Sequence, residues 1–339
     1  MEDYADNAFA AVPAGMIDIR SLRTATSFRV YVLYIDLVSL VALVLSIYTI
    51  RQLRAKQIFS QSITHLLIAS LVYGNVHNAS YTIIETWSLY RSFAYSNDVR
   101  RIMFTSEECV IQHVLNSCVR FLFIAIELAL NADRLIVILF RKYSHCYPTI
   151  RGEVLNAMAV IGSFTLGIIL HLDGYPHPGI VTTSCFRETD ITINLRSTNL
   201  TSYTILAAAC AGMDFFMMWY TWNDRKQREY DLKSKYLRVE QHYSLLAVSL
   251  NSLLQLFVTF IYTISVYVLQ EMSKRDAELG DANLLRWFYT TPYSTLLVPI
   301  QISFFIQWIG TRRKKRIDSV TQKSQTQHDY FSQLSASWN

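Results

Sequence analysis

Residues 109–135 read CVIQHVLNSCVRFLFIAIELALNADRL, a long and mostly apolar stretch that nevertheless carries charged and amide side chains. At the helical spacing of about 100° per residue, its polar side chains fall on one narrow face. They are Cys109, His113, Asn116, Arg120, Glu127, Asn131 and Arg134. Lipid disfavours such groups, so this polar stripe must face the interior of a helix bundle or a wet cavity.

Six further apolar runs approach the roughly 20 residues that a helix needs to cross a bilayer. In chain order the seven runs are 30–50, 63–84, 110–140, 154–172, 201–222, 243–269 and 287–309. The second run is the weakest because it contains His65, Asn75, His77 and Asn78. Backbone groups in lipid must be hydrogen-bonded internally, so the sequence predicts an all-α bundle of seven transmembrane helices.

The composition agrees with this fold class. The chain of 339 residues is 52% hydrophobic and 17% charged, whereas soluble domains usually carry about a quarter charged residues. The alternative, a large soluble domain with buried helices, requires shorter apolar runs and polar helix faces.

The distribution of Lys and Arg predicts the orientation. With the N-terminus outside, the inner segments hold 18 basic residues and the outer segments hold 11, as the positive-inside rule requires. We therefore expect an extracellular segment at 1–28, the transmembrane domain at 29–310 and a cytoplasmic tail at 311–339, in the plasma membrane. Asn199 opens a glycosylation triplet in an expected outer loop, and the polar tail beyond Ser319 is predicted to be disordered.

Two cysteines fall on the expected outer side. Cys109 begins the third apolar run, and Cys185 lies in the loop before the fifth. Both would face an oxidising compartment, where disulfides persist. The sequence predicts a disulfide between them, and the alternative is two unpaired thiols.

Arg120 lies near the expected middle of the membrane, where an isolated charge costs about 2.5–3.5 kcal/mol by the lower estimates. It therefore needs a partner, and the candidates are Glu127 on the same helix and Asp36 in the first run. Arg120 and Glu127 are then either a structural ion pair or ligand-binding groups, and the sequence leaves both interpretations open.

Asp133 and Arg134 stand at the other end of the stripe. Arg134 follows Cys109 by 25 residues, which at about 1.5 Å per residue is roughly 37 Å, enough to cross the bilayer. An acid–Arg pair at this position suits a switch in which the Arg turns from the Asp toward a partner protein. The alternative is an interfacial charge pair that ends the helix.

The expected outer halves of the second, third and seventh spans offer aromatic and polar side chains for a small organic ligand. The candidate pocket residues are Asn78, Tyr81, His113, Asn116, Trp287 and Tyr293. The alternative interpretation assigns the aromatic members to the belt at the membrane interface.

Seven spans, the cysteine pair and Asp133-Arg134-Leu135 together resemble a G-protein-coupled receptor. Two short segments more closely resemble nematode serpentine chemoreceptors of the alpha, beta and epsilon classes. These families carry a Glu-Arg-x-x-Ala-Thr motif after the third helix and a Tyr-x-Leu-Ser-x-Arg-Tyr stretch before the sixth. Here the first begins at Asp133 and the second is a loose version from Tyr230 to Tyr236.

Among these classes the resemblance leans toward the epsilon class. It implies a chemosensory receptor that binds an external small molecule and activates a heterotrimeric G protein. It further implies expression in sensory neurons and a location in their cilia.

Other functions find less support. The sequence contains no phosphate-binding Gly-rich loop, no H-E-x-x-H and no G-x-S-x-G, so we expect no enzyme. No C-x-x-C pair occurs, and we expect no bound metal, no cofactor and no nucleic-acid partner. Membrane lipid is an expected partner. The second candidate function is a transporter of a small solute, in which Pro292 and Pro299 break a helix and Arg120 binds an anion.

Overall fold

The computed structural model describes residues 25–56, 58–96, 98–140, 148–172, 181–182, 185, 190–224, 232–275 and 287–336. Seven long helices occupy most of this part of the chain. They are α1 (Thr26–Lys56), α2 (Gln61–Ala94), α3 (Ser106–Leu139), α4 (Pro148–Leu172), α5 (Asp190–Asp224), α6 (Leu232–Arg275) and α7 (Thr291–Ala336). Each helix contains most or all of one predicted apolar run, so the predicted seven-helix bundle is confirmed.

Two short segments complete the described fold. A single helical turn, Val99–Ile102, follows α2. Strand β1 (Phe104–Thr105) then pairs antiparallel with β2 (Val181–Thr182), with Phe104 opposite Thr182. This ladder carries the chain from β2 toward Cys185, beside the start of α3.

The helices form a closed ring in which α7 returns to pack on α1. Helix α2 contacts α1, α3, α4 and α7, while α3 contacts α2, α4, α5 and α6. These two helices therefore have the most neighbours in the bundle. That placement explains how they carry the polar residues that lipid would disfavour.

Five helices are long and apolar enough to cross a membrane by length and composition. The segments are Thr26–Lys56, Pro148–Ile169, Thr201–Asn223, Gln241–Val268 and Thr291–Lys315. Helices α2 and α3 do not meet this criterion, but both are 34 residues long and bury their polar side chains. Large apolar side chains on α1 and α5, such as Leu37 and Phe215, are exposed, as a lipid-facing surface requires.

Two large apolar cores lie within the described bundle, beside a small third cluster of Phe104, Cys109 and Cys185. We call the end near Cys109 the disulfide end and the opposite end the Arg134 end. An aromatic core that includes Tyr31, Tyr81 and Tyr289 lies near the disulfide end. An aliphatic core that includes Leu66, Leu130 and Ile306 extends to the Arg134 end.

Helix α4 approaches its neighbours closely through glycines. A Cβ atom added at Gly152 would lie 2.9 Å from the Cα of Ser62 in α2. One added at Gly167 would lie 2.6 Å from the Sγ of Cys118 in α3. Because these neighbours are backbone or buried atoms, any larger residue at either position would push the helices apart.

The structure differs from the sequence expectation in two segments. The predicted disordered tail beyond Ser319 is wrong within the described residues, since α7 continues as a helix to Ala336. Asn199 lies within α5 rather than in a loop, because this helix begins at Asp190, before the apolar run. Most of the proposed extracellular segment, residues 1–24, lies outside the described residues.

Candidate functional site

The start of α3 is fixed by three kinds of bond. Thr105 is the N-cap, and the Glu108 N–H donates to its Oγ1 at 3.3 Å while Glu108 Oε2 accepts from the Thr105 N–H at 3.2 Å. Arg91 of α2 forms a 3.0 Å ion pair with Glu108 and donates to the Met103 carbonyl at 2.9 Å. A reciprocal capping box of this kind defines where the helix begins.

A disulfide joins Cys109 to Cys185, as the sequence predicted, and both side chains are buried. It closes a separation of 76 residues. The bridge ties the segment before α5 to the first turns of α3, which orients the whole polar stripe.

The polar stripe of α3 is buried along most of its length. Exposed fractions are 5% at His113, 9% at Asn116, 3% at Glu127, 0% at Asn131 and 3% at Arg134. Only Arg120 in the middle is partly exposed, and it lines a cavity. The stripe thus forms a polar column along α3 from one end of the bundle to the other, interrupted by Phe123 and Ile124 between Arg120 and Glu127.

Near the disulfide end, the column joins an aromatic network. His77 Nε2 lies 2.9 Å from Asn116 Oδ1 and 2.7 Å from the Tyr289 hydroxyl. The hydroxyls of Tyr31 and Tyr81 are 2.8 Å apart. These contacts connect α1 to α2, and connect α2 to α3 and to the segment before α7, through polar groups inside the bundle.

A cavity opens between α3, α5, α6 and the start of α7. It contains about 570 Å³ free of protein atoms, part of it open to solvent. The lining residues are Arg120, Phe123, Ile124, Tyr203, Gln255, Val258, Thr259, Tyr262, Thr290, Thr291 and Ser294. One cation, several hydroxyls and an amide therefore face an otherwise apolar space.

The six predicted pocket residues are not among the described residues that line this cavity. Asn78 donates to Thr295, while Tyr81 and Asn116 belong to the aromatic network. Trp287 packs against Tyr34, with ring centroids 5.7 Å apart. Tyr293 also packs on Tyr34, at 6.3 Å, and His113 is buried in α3.

Apart from His113, these residues lie on or against α1 and α2, beside the cavity rather than around it. Phe123 connects this neighbouring group to the cavity, because it lines the cavity and its ring centroid lies 6.0 Å from that of His77.

The middle of the column gives Glu127 partners that the sequence did not predict. Asn251 of α6 donates to Glu127 Oε1, and Ser252 donates to Oε2 at 2.9 Å. The other predicted partner of Arg120, Asp36, accepts a hydrogen bond from Thr86 at 3.1 Å. Arg120 itself lies with its guanidinium 5.7 Å from the centre of the Tyr289 ring.

At the Arg134 end, Asp133 is the centre of an ionic network. Its carboxylate pairs with Arg134 and accepts hydrogen bonds from Arg151 Nε and Ser62 Oγ, both at 2.6 Å. Arg134 also donates to Ser60 Oγ at 3.2 Å. Because Ser60 and Ser62 start α2 and Arg151 starts α4, the network holds three helices together.

The sequence interpretation missed Asp214, Arg151 and Tyr289. Asp214 of α5 is 1% exposed, and an acid within an apolar run is a signal that the rule for intramembrane charges identifies. Arg151 resembled an ordinary interfacial cation. Only the fold brings it to Asp133, since α4 lies against both α2 and α3.

The family described as "Serpentine type 7TM GPCR chemoreceptor Sra" matches residues 5–338. A Caenorhabditis elegans protein, serpentine receptor class alpha-32, is 75% identical over 338 residues, and the match covers 100% of each of the two chains. Serpentine receptor class alpha-33 from the same organism is 31% identical, across 95% of this chain and 98% of its own length. Class alpha-1 is 22% identical over 314 residues.

These matches correct one expectation, because the resemblance to the epsilon class is wrong. The two short motifs that suggested it are shared by the alpha, beta and epsilon classes, so they do not separate one class from another. The described residues form seven long helices, five of which contain candidate membrane spans, and a receptor family matches residues 5–338. The chain is therefore a multi-pass membrane protein. The chain belongs to the class alpha family of serpentine seven-transmembrane chemoreceptors, Sra.

Proposed function

We propose that this chain is a G-protein-coupled chemosensory receptor of the plasma membrane, with its disulfide end outside and its Arg134 end in the cytoplasm. It binds a small external molecule in the cavity at Arg120 and activates a heterotrimeric G protein through Asp133 and Arg134. The observation that carries the proposal is the buried polar column of α3, because it connects the cavity to the ionic network.

The lining of the cavity favours a small organic anion as ligand. Arg120 supplies a positive charge, and none of the described residues that line the cavity is acidic. Hydroxyls from Thr259 and Ser294 and the amide of Gln255 provide further hydrogen bonds. Tyr203 and Tyr262 add aromatic surface, so the ligand carries an apolar part beside its anionic group.

The role of Arg120 is tested by ligand binding. Arg120→Ala should weaken binding of a responsive anion by about tenfold to a hundredfold, the loss expected for one charge-assisted hydrogen bond. Arg120→Lys keeps the positive charge but loses the planar guanidinium that can bind a carboxylate through two N–H groups, and should retain part of the affinity. Tyr31→Phe, in the aromatic network outside the described cavity lining, is the matched control. Equal affinity in Arg120→Ala and wild type would exclude this site.

The ionic network supports a switch at the Arg134 end. Asp133 holds Arg134 inside the bundle together with Ser60. Arg151 and Ser62 also bind Asp133, so its charge stays compensated when Arg134 leaves. The network can therefore release one arginine without exposing an unpaired buried carboxylate, as a two-state element requires.

Two substitutions in this network should change signalling in opposite directions. Arg134→Ala removes the group that would contact the G protein, and should abolish signalling while surface expression persists. Arg151→Ala weakens the resting network but keeps Arg134, and should raise signalling without ligand. Survival of normal signalling in Arg134→Ala, measured at matched surface expression, would show that Arg134 does not couple to the G protein.

A further inference from the structure

A second, smaller cavity lies next to the cavity at Arg120, and we call it the deep cavity. It contains about 230 Å³ free of protein atoms. Phe123, Gln255 and Ser294 line both cavities, so the two spaces meet at these three side chains. Phe123 follows Arg120 by three residues on α3, about 4.5 Å along the helix axis. The deep cavity therefore lies on the side toward the Arg134 end.

The other walls of the deep cavity come from α2 and α7. Leu71 and Val298 contribute apolar side chains, and both belong to the aliphatic core. Ser70 and Thr295 add hydroxyl groups. No acidic or basic side chain occurs among the described residues that line the deep cavity. It therefore differs from the cavity at Arg120, which contains a positive charge.

A glycine keeps the deep cavity open. A Cβ atom added at Gly74 of α2 would lie 3.0 Å from Thr295 Cγ2 and 3.7 Å from the Phe123 ring. Thr295 is held in place, because its hydroxyl accepts a hydrogen bond from Asn78 and donates one to the Pro292 carbonyl at 2.8 Å. The space between α2, α3 and α7 at this level thus depends on the missing side chain at position 74.

We propose that the deep cavity receives the uncharged end of the ligand whose anionic group binds Arg120. This inference rests on the proposed binding of an anion at Arg120, and it specifies the ligand as an elongated monoanion. A change of rotamer at Phe123 or Gln255 joins the two spaces. A second charge at the far end of the ligand would be buried without a partner, at a large cost. Gly74 is then a specificity-determining residue that sets the length of the ligand.

Burial of an apolar chain in this cavity makes affinity depend on chain length. Each methylene group buried there should raise the affinity about fourfold, until the chain fills the cavity. A longer chain must push packed side chains apart, which is unfavourable. The affinity of straight-chain carboxylates should therefore rise with length to an optimum and then fall.

The length dependence is measured with the purified full-length protein in lipid nanodiscs. The probes are the sodium salts of straight-chain monocarboxylates from butanoate to decanoate. The shift of the thermal unfolding midpoint with probe concentration gives each dissociation constant. Octanedioate, a dianion, should bind at least about tenfold more weakly than octanoate. Arg120→Ala should weaken the binding of every monocarboxylate, which separates binding at this site from uptake into the lipid.

Two substitutions should move the optimum in opposite directions. Gly74→Ala fills part of the deep cavity and should shorten the optimal probe, with a loss of about fourfold or more for the acid that wild type prefers. Val298→Ala enlarges the cavity and should lengthen the optimal probe. The matched control is Gly162→Ala, because a Cβ atom at that position meets nothing within 4 Å. It should leave the length profile unchanged.

Three results would overturn the role of the deep cavity. They are an optimum that is the same in wild type, Gly74→Ala and Val298→Ala, octanedioate that binds as tightly as octanoate, and the absence of binding by every monocarboxylate. If Gly74→Ala does not fold, Val298→Ala and octanedioate still decide the inference.

Failure of this inference differs from failure of the proposed function. Binding that depends on Arg120 but keeps one length profile in all variants retains the anion site and overturns the deep cavity. Equal binding in wild type and Arg120→Ala overturns both. Nucleotide exchange on an added G protein is measured separately. Absence of exchange with the optimal probe counts against the receptor function, whereas the length profile still decides the deep cavity.

Discussion

Asp133 and Asp214 are both aspartates within the helix bundle, and both are almost completely buried. Asp133 has two arginines and a serine as partners, drawn from α2, α3 and α4. Asp214 lies beside the side chains of Asn131 and Ser252 and close to a second buried acid, Glu127. Asp133 is thus paired with cations, whereas Asp214 shares its surroundings with another acid.

This contrast separates two uses of buried charge. A buried ion pair adds little net stability compared with apolar packing, but removing one partner leaves an uncompensated charge at a large cost. Two neighbouring buried acids behave in the opposite way, because removal of one of them relieves repulsion between them. Substitutions at the two aspartates should therefore differ sharply in their effect on stability.

The largest effect is expected at Asp133. Asp133→Ala leaves Arg134 and Arg151, whose side chains are 4% and 14% exposed, without their shared carboxylate. The free energy of unfolding should fall by about 3–5 kcal/mol, with loss of surface expression. The control is Asp98→Ala, whose pair with Arg101 is exposed and is worth at most about 1 kcal/mol. Equal unfolding midpoints for the two variants would refute the contrast.

An intermediate effect is expected where α4 meets the network. Gly152→Ala adds a Cβ atom 2.9 Å from the backbone of Ser62, which donates to Asp133. Overpacking of this kind costs about 1–3 kcal/mol. Gly162→Ala on the same helix meets nothing within 4 Å and should be neutral or gain up to about 1 kcal/mol from helix propensity. Thermal unfolding of both variants measures the difference, and equal destabilisation would argue against close packing at Gly152.

The smallest effect on stability is expected at Asp214. Asp214→Asn removes an acid beside Glu127 and introduces an amide donor next to its carboxyl group. Its free energy of unfolding should lie within about 1 kcal/mol of wild type, or above it. A loss as large as that of Asp133→Ala would contradict the contrast between the two aspartates.

Much of the fold follows from the sequence because a membrane imposes simple rules. All seven helices were predicted, since long apolar runs in lipid must be helical. The burial of the α3 stripe and the Cys109–Cys185 bridge also follow, because helical periodicity and topology constrain them. The helical tail was missed because it has no apolar run and its polar composition predicts disorder.

The candidate site is less predictable because it depends on which side chains meet across helices. Arg151 reaches Asp133 only through the packing of α4 on α2 and α3. The cavity at Arg120 opens toward α5 and α6, whereas the residues first suggested for a pocket pack as a neighbouring layer. The partners of Glu127 come from α6, more than a hundred residues away, and one sequence gives no indication of such pairs.

Ligand-dependent nucleotide exchange on a purified G protein, with the receptor in nanodiscs, tests the central claim most directly. We expect a small organic anion to accelerate GDP release in wild type, to require a higher concentration in Arg120→Ala, and to have no effect in Arg134→Ala. Exchange that is indifferent to Arg134, or flux of the anion across reconstituted vesicles without any exchange, would contradict the account.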